Sequence, residues 1–399
     1  MEPGSPVLLF CEDIQLDKKV LRKCVTFFDF RIKRTEPKKL NTMYKKAITL
    51  ILAGFLLLPA FSQSEQEVQT FTKHSEILNE ERELKIYLPA DYSPDQVYPV
   101  IYITDAAWGN FKVAKGYLDA LSDPQYRVIP PSILVGIVHK KRNEEMNVFG
   151  EESGQKFMKY LFDEVVPNID ATFSTSGFNT MIGHSNGAEW NHFLMMAEDN
   201  PFRGFISLST AFNTDVKAEI AEFFKTYQGK NLYYFVGNGK SDGAFRIQAG
   251  KVFETLYEKN PNEAVRFTNQ TFEGNHNSLV PNAMLTGLKF IFQDFGDTDN
   301  YAAFTEYQDH YKEDVMEAYG LNPAYEFTSI ESYFADILAN KDKEQYQAFV
   351  AFANKHKLWY SPGGILDPVN IANQYCYMEM YPETIEYYNR GLNELDVTG

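Results

Sequence analysis

The chain has 399 residues, of which 44% are hydrophobic and 15% aromatic, enough to build a large domain with its own core and to argue against global disorder. Its net charge of −16 repels phosphate backbones and argues against nucleic-acid binding. The sequence contains no C-x-x-C and no histidine pair at ligand spacing, so we expect neither a metal site nor another cofactor.

The first predicted element is a secretory signal peptide over residues 43–62. Two lysines precede an apolar run over residues 47–58, and small residues occupy Ala60 and Ser62. The run is shorter than the roughly 20 apolar residues of a membrane-spanning helix. We therefore expect a periplasmic or secreted bacterial protein with no stable membrane span after cleavage.

Residues 1–42 precede this signal, although a signal peptide normally begins the chain. We interpret them as a non-native leader that results from a misassigned start, with translation beginning at Met43. A genuine leader remains the alternative. Only Cys376 follows the signal, so we expect no disulfide within the mature chain.

Residues 63–296 alternate between strand-like and helix-like segments. The predicted strands cover the second half of residues 74–92 and residues 98–104, 132–138, 178–183, 202–209, 231–238 and 264–274. The predicted helices cover residues 154–170, 187–199, 216–227, 246–259 and 278–295, and we expect Pro167 to end the first of them. This alternation predicts an α/β fold with a mostly parallel central sheet and helices on both faces.

Residues 297–399 differ in character. They contain no strand-like runs, and their aromatic, Ala and Leu residues recur at helical spacing. The segment 381–392, "YPETIEYYNRGL", is similar to a tetratricopeptide-like helix. We predict a small all-helical appendage, which offers a possible docking surface for a protein partner.

The segment "MIGHSNGAEW" contains one G-x-S-x-G motif, centred on Ser185. Such a motif arises by chance in roughly one chain of this length in ten, so position decides its meaning. Here it lies between a predicted strand and a predicted helix, where a tight turn exposes a nucleophilic serine. The backbone N–H of Asn186 would then be one donor of an oxyanion hole.

The partners of a nucleophilic serine on such a fold follow it in the order acid, then histidine. His276 lies in the loop "FEGNHNSLVP" between the last predicted strand and helix, and we predict that it is the base; an ordinary loop histidine is the alternative. Asp242 is the one carboxylate of the loop "NGKSDGAFR" and the predicted acid. The alternative is a solvated turn aspartate, which would leave a Ser–His dyad.

The segment "TDAAWGNF", after an early strand, is expected to supply the second oxyanion donor. Ala106 is the first choice for that N–H and Ala107 the second. Trp108 and Phe111 would line the substrate pocket, unless they are core residues. Arg142 would meet an anionic substrate, unless it forms a surface salt bridge.

Taken in order, these segments resemble the family named "Putative esterase" in the α/β-hydrolase superfamily. That family includes enterochelin (siderophore) esterases, S-formylglutathione hydrolase-like enzymes and feruloyl esterases. The resemblance covers about residues 70–296 and is carried by "YPVIYITDAAWG", "FDEVVPNIDATF", "MIGHSNGA" and "EGNHNSLVP". Two departures are Asp105-Ala106, where the family has Asp-Gly, and Lys240, near the place where it often has an acid.

The resemblance and the residues together imply a secreted serine esterase that forms an acyl-enzyme on Ser185 and uses no cofactor. The resemblance also implies a small-molecule ester substrate, either a siderophore or a carbohydrate-linked acyl ester. An acyltransferase with the same triad and a catalytically idle binding protein of the same fold remain the alternatives.

Overall fold

A computed structural model describes residues 68–147, 152–296, 300–358 and 368–396. The described residues from 68 to 358 form one compact unit, and residues 368–396 belong to a second unit. The predicted leader and signal peptide, residues 1–62, lie outside the described residues. None of the described helices is both long and apolar enough to span a membrane.

The first unit is built on one eight-stranded sheet. Its strands are β1 (Gln69–Ser75), β2 (Glu80–Tyr87), β3 (Tyr98–Ile103), β4 (Ile133–Ile137), β5 (Thr175–His184), β6 (Gly204–Leu208), β7 (Leu232–Gly239) and β8 (Val265–Phe272). Their order in the sheet is β1-β2-β4-β3-β5-β6-β7-β8. The pairs β1–β2 and β2–β4 are antiparallel, and every following pair, from β4–β3 to β7–β8, is parallel. The predicted mostly parallel α/β sheet is confirmed.

Helices connect the strands and continue beyond the sheet. In chain order they are α1 (Gly109–Ser122), α2 (Arg142–Glu145), α3 (Glu152–Tyr160), α4 (Val166–Thr172), α5 (Asn186–Met196), α6 (Lys217–Thr226), α7 (Ala244–Lys259), α8 (Val280–Ile291), α9 (Gln293–Gly296), α10 (Phe304–Tyr319), α11 (Phe327–Asn340), α12 (Lys343–Lys355), α13 (Pro368–Tyr377) and α14 (Tyr381–Asp396). Strands β3, β4, β6 and β7 are buried along their whole length. Their apolar, often β-branched runs are typical of parallel strands covered on both faces.

The helix predicted over residues 154–170 is divided. A π-helical turn at Leu161–Val165 separates α3 from α4. Pro167 lies in the first turn of α4 and does not end the helix, contrary to prediction. The physical reason is that a proline is tolerated in a first helical turn, where its missing N–H has no intrahelical partner to lose.

The helices that follow residue 300 remain in contact with the sheet. Tyr319 of α10 packs edge-on against Phe178 of β5, with ring centroids 4.9 Å apart, and stacks with Tyr233 of β7 at 5.9 Å. The compact unit therefore extends beyond residue 297 to α12. The sequence-based division at residues 296 and 297, and the tetratricopeptide-like character of the tail, stay predictions.

The second unit contains α13 and α14, which pack against each other. Tyr375 and Tyr387 make one of the contacts between them, with ring centroids 5.3 Å apart. Cys376 of α13 is disulfide-bonded, and its bonding partner lies outside the described residues, so the expectation of no disulfide within the mature chain stays a prediction.

Parallel strands bring their carboxyl ends to one edge of a sheet, and loops at that edge carry the functional groups of open α/β folds. Ser185, Ser209 and the loops with Asp242 and His276 directly follow β5, β6, β7 and β8. The topology therefore gathers the candidate side chains at one place.

Candidate active site

Ser185 lies on a sharp turn between β5 and α5. Its backbone adopts φ 60° and ψ −119°, a left-handed conformation that costs energy for a residue with a side chain. The Ser185 N–H donates to Leu208 O at 3.0 Å, which ties the turn to the end of β6. This is the geometry of a nucleophile elbow.

The flanking glycines are required by close backbone approach. A Cβ on Gly183 would lie 2.1 Å from Gly187 O, and a Cβ on Gly187 would lie 2.5 Å from Thr104 Oγ1. Neither neighbour is a flexible chain end that could move aside. The two glycines of the G-x-S-x-G motif therefore have a steric role in forming the turn.

His276 and Asp242 come together, with His276 Nδ1 3.3 Å from Asp242 Oδ1. Ser209, which the sequence analysis missed, lies between them. Its Oγ is 2.6 Å from His276 Nδ1 and donates to Asp242 Oδ2. Because the Ser209 proton goes to the carboxylate, Nδ1–H of His276 must be the donor to Ser209 Oγ. Nε2 is then the unprotonated nitrogen, ready to accept a proton.

Asp242 is held as a buried acceptor, in contrast to the solvated turn aspartate that was the alternative. Its side chain is 2% exposed, and Oδ1 also accepts the N–H of Gly243 at 2.8 Å. The His276 side chain is 35% exposed. Buried acid and accessible base are the arrangement that a triad needs.

His184 supports the loop that carries His276. Its Nε2 donates to the backbone oxygen of His276 at 2.7 Å, and the two rings lie 4.6 Å apart at 38°. No hydrogen bond joins Ser185 to His276 within the described ranges. The Ser185 Oγ instead lies 3.3 Å from Nη2 of Arg246. Catalytic hydrogen bonds are often longer in the ligand-free enzyme and shorten when substrate binds.

The pKa of His276 is lowered. Burial is the largest cause, and the positive charges of Arg246 and, to a smaller extent, Arg142 add to it, whereas Asp242 acts in the opposite direction. His276 is therefore neutral at pH 7, as a general base must be before the reaction.

The two N–H groups predicted to form an oxyanion hole, those of Asn186 and Ala106, differ in whether they already have an acceptor. Asn186 is the first residue of α5, and its backbone N–H has no hydrogen-bond acceptor in the described part of the chain. The N–H of Ala106 is unavailable because it donates to Ile137 O at 3.1 Å. The next N–H, that of the exposed Ala107, has no acceptor among the described residues. Ala107, the second choice from the sequence, therefore replaces Ala106.

The three predicted substrate-binding residues have different environments. Trp108 is 56% exposed, and the Arg142 guanidinium lies 5.1 Å from its ring centroid. Phe111 is 4% exposed and packs beneath Gly136, as the core alternative supposed. Arg142 forms a bidentate ion pair with buried Asp105, with Nε–Oδ1 at 2.5 Å and Nη2–Oδ2 at 2.8 Å. Its charge is therefore neutralised within the protein.

A second buried carboxylate holds the segment that carries Arg142. Glu145 accepts from Arg82 at 2.8 Å and contacts His139 Nδ1 at 2.7 Å. It also accepts the N–H groups of Lys140 and Lys141. Burial opposes ionisation, but the hydrogen bonds from His139 and Arg82 outweigh it and lower the pKa of Glu145 to about 2. This network fixes α2 beside the elbow. No local sequence motif predicts the network.

Comparison with known proteins gives a consistent result. Residues 75–277, just over half of the chain, match the family described as "Putative esterase", and the match includes Ser185, Asp242 and His276. The uncharacterized protein YjcH of Bacillus subtilis (strain 168) is 30% identical over 185 residues, which are 44% of this chain and 74% of YjcH.

Solved structures share the fold. An IroE-like serine hydrolase from Shewanella oneidensis aligns with a TM-score of 0.57 at 20% identity and covers 70% of this chain and 95% of its own. An uncharacterised protein from Capnocytophaga ochracea DSM 7271 aligns with a TM-score of 0.62 at 16% identity and covers 82% and 93%. With this family match, the chain belongs to the Putative esterase family, and its sheet and elbow give it an α/β-hydrolase-like fold.

Proposed function

We propose that the protein is a serine esterase with Ser185 as nucleophile, His276 as general base and Asp242 as the acid that orients it. The observation that carries the proposal is the occupied Nδ1 of His276. Because Nδ1 is engaged by Ser209 and Asp242, Nε2 is left as the acceptor on a ring that lies 4.6 Å from the ring of His184, the residue before Ser185. That tautomer is the one that can remove a proton from a serine hydroxyl.

In the first half-reaction, Ser185 Oγ attacks the ester carbonyl carbon while its proton passes to His276 Nε2. The carbonyl oxygen becomes an oxyanion, which the N–H groups of Asn186 and Ala107 stabilise together with the N-terminal end of α5. The intermediate then collapses, the carbon–oxygen bond to the alcohol breaks, and His276 returns the proton to the leaving alkoxide.

In the second half-reaction, water attacks the acyl-enzyme. His276 takes a proton from the water, and the second tetrahedral intermediate releases the carboxylic acid and regenerates the Ser185 hydroxyl. The Asp242 carboxylate stabilises the imidazolium through Ser209 and by its own charge, with Oδ1 3.3 Å from His276 Nδ1. Each step conserves atoms and needs only water as co-reactant.

The substrate proposed here is a small-molecule carboxylic ester, with a siderophore ester or a carbohydrate-linked acyl ester as the classes that the family resemblance suggests. Export to the periplasm or beyond, through the signal at residues 43–62, is part of the same proposal. The helical tail is proposed as a docking surface for a protein partner.

The proposal is tested with the full chain, a fluorophosphonate probe and p-nitrophenyl acetate and butyrate. Ser185→Ala is expected to abolish labelling and to lower kcat/KM by about 10⁴-fold or more. The matched control is Ser241→Ala, an exposed serine in the Asp242 loop, whose backbone hydrogen bond to Gly274 O survives the change. Labelling that persists in Ser185→Ala, or no labelling of the unaltered chain, would contradict the proposal and favour an idle binding protein.

A further inference from the structure

The site contains a cation that the proposed mechanism does not use. Arg246 lies in the first turn of α7, directly after the Asp242 loop, and its guanidinium is half-buried. Its Nη2 is 3.3 Å from Ser185 Oγ, and its Nη1 donates to Ser209 O. Arg246 therefore lies within hydrogen-bonding distance of the proposed nucleophile.

The guanidinium is held in place by its neighbours. Its central carbon lies 4.9 Å from the ring centroid of Phe245, a residue that is itself exposed. The Phe245 ring occupies the space that a side chain at Gly243 would need, since a Cβ there would lie 2.8 Å from it. A planar cation fixed against a ring and a carbonyl loses little freedom when it binds a ligand.

The charge of Arg246 has no carboxylate partner in the described ranges. Burial lowers the pKa of Arg246, and the two carboxylates nearby, Asp242 and Glu189, oppose this effect only from a distance. Asp242 is engaged by Ser209, His276 and Gly243, and Glu189 accepts from Asn213 and Thr214. Both hydrogen-bond acceptors of Arg246 are neutral oxygens.

Arg142 provides the contrast on the other side of Ser185. Its guanidinium is saturated by the bidentate ion pair with Asp105 and by His184 O at 3.2 Å. A half-buried charge without a counter-ion is costly, and a guanidinium binds a carboxylate through two parallel hydrogen bonds. The protein as a whole is acidic, so an anionic substrate needs a dedicated cation at the site.

We propose that Arg246 selects ester substrates that carry a carboxylate a few bonds from the scissile carbonyl, on either the acyl or the alcohol side. This inference rests on the proposed function and names its substrate class. When the Ser185 hydroxyl turns toward His276 Nε2, it leaves Nη2 of Arg246. The substrate carboxylate then replaces Ser185 Oγ as the acceptor of that Nη2–H.

The test compares pairs of esters that differ only in charge. Their hydrolysis is measured by the release of protons at constant pH. Methyl butyrate and monomethyl succinate differ on the acyl side, and ethyl butyrate and O-butyrylglycolate differ on the alcohol side. We expect one charged ester to be cleaved with a higher kcat/KM than its neutral counterpart. Arg246→Gln is expected to lower that charged-to-neutral ratio by about 10- to 100-fold, the effect of losing a hydrogen-bonded charge.

Two further variants and the probe separate the explanations. Arg246→Lys keeps the positive charge but not the two parallel N–H donors of a guanidinium, and we expect an intermediate charged-to-neutral ratio of kcat/KM. Lys251→Gln removes an exposed charge from the same helix, and we expect the ratio of the unaltered chain. A ratio that Arg246→Gln leaves unchanged, because both esters of a pair lose activity equally, would assign Arg246 a positioning role and overturn the proposal.

The fluorophosphonate probe, which is uncharged, tells this inference from the proposed function. If Ser185 labels but neither charged ester is cleaved faster than its neutral counterpart, the anion selectivity is wrong and the serine esterase stands. If Ser185 does not label at all, both fall.

Discussion

Two histidines of this protein contact hydroxyl groups but differ in their burial and in their other partners. His276 bonds Ser209 in an open loop, with Asp242 behind it. His192, inside α5, bonds Tyr234 at 2.7 Å and Thr210 at 2.9 Å and has no access to solvent. Burial lowers the pKa of His192 to about 3, so it remains neutral as a core residue. The hydroxyl contact is common to both histidines, so a neighbouring carboxylate and a partly exposed ring are what distinguish His276 as the proposed base.

The strongest test of this comparison is the same substitution at both histidines. His276→Gln is expected to lower kcat/KM by about 10⁴-fold with little change in the free energy of unfolding, because it removes the base from a half-exposed loop. His192→Gln is expected to cost about 1–3 kcal/mol of stability, because it disturbs buried hydrogen bonds, while the folded protein stays active.

Ester kinetics and urea unfolding measure the two effects. The comparison breaks if His192→Gln abolishes activity in protein that is still folded, or if His276→Gln leaves the rate within a few-fold of the unaltered chain.

The next effect separates the acid from the bridging hydroxyl. Asp242→Asn is expected to lower kcat/KM by about 10³-fold, because the carboxylate that stabilises the imidazolium is lost. Ser209→Ala is expected to cost only about 10-fold, because Asp242 Oδ1 lies 3.3 Å from Nδ1 and can still stabilise the ring directly. Asp215→Asn, an exposed carboxylate in the β6–α6 loop, is the control and should not change the rate. A larger loss in Ser209→Ala than in Asp242→Asn would make the hydroxyl the essential partner.

The smallest effect is on pH dependence. Because burial and Arg246 lower the pKa of His276, the acidic limb of kcat/KM is expected below pH 6.5, and Arg246→Gln should move it upward. For His192 the sign concerns stability. Its folded pKa lies below the unfolded value of 6.5, so protons favour the unfolded chain, and stability is lost as pH falls from 6.5 toward 3.

Rate profiles and unfolding at several pH values check both statements. His192→Gln should flatten the acid loss of stability and leave the rate profile unchanged. An acidic limb that stays in place in Arg246→Gln would show that Arg246 does not influence His276.

Part of the candidate site follows from local sequence patterns. Ser185 and His276 are predicted because each lies in a short segment with its own signal: a glycine-flanked turn after a strand, and a polar loop before a helix. The parallel sheet was predicted for the same reason, since alternating apolar runs report burial along the chain. The π-helical turn and the helix that continues through Pro167 were not predicted. A single π-helical turn is too short to produce a periodic pattern of apolar residues in the sequence.

The residues that were missed all depend on partners far along the chain. The sequence favours the N–H of Ala106 over that of Ala107, but Ile137 O, from β4, accepts the Ala106 N–H. Arg142 is the anion ligand that the sequence predicts, but Asp105 pairs with its charge, and it is Arg246 whose guanidinium lies 3.3 Å from Ser185 Oγ.

The order of strands and helices along the chain, the glycine-flanked turn at Ser185 and the polar loop of His276 follow from the sequence alone. Which donors are free, which charges are paired and that Ser209 joins Asp242 to His276 depend on the assembled fold. A turn is shaped by its own few residues, whereas hydrogen bonds and ion pairs are shared among groups that meet only when the sheet has assembled.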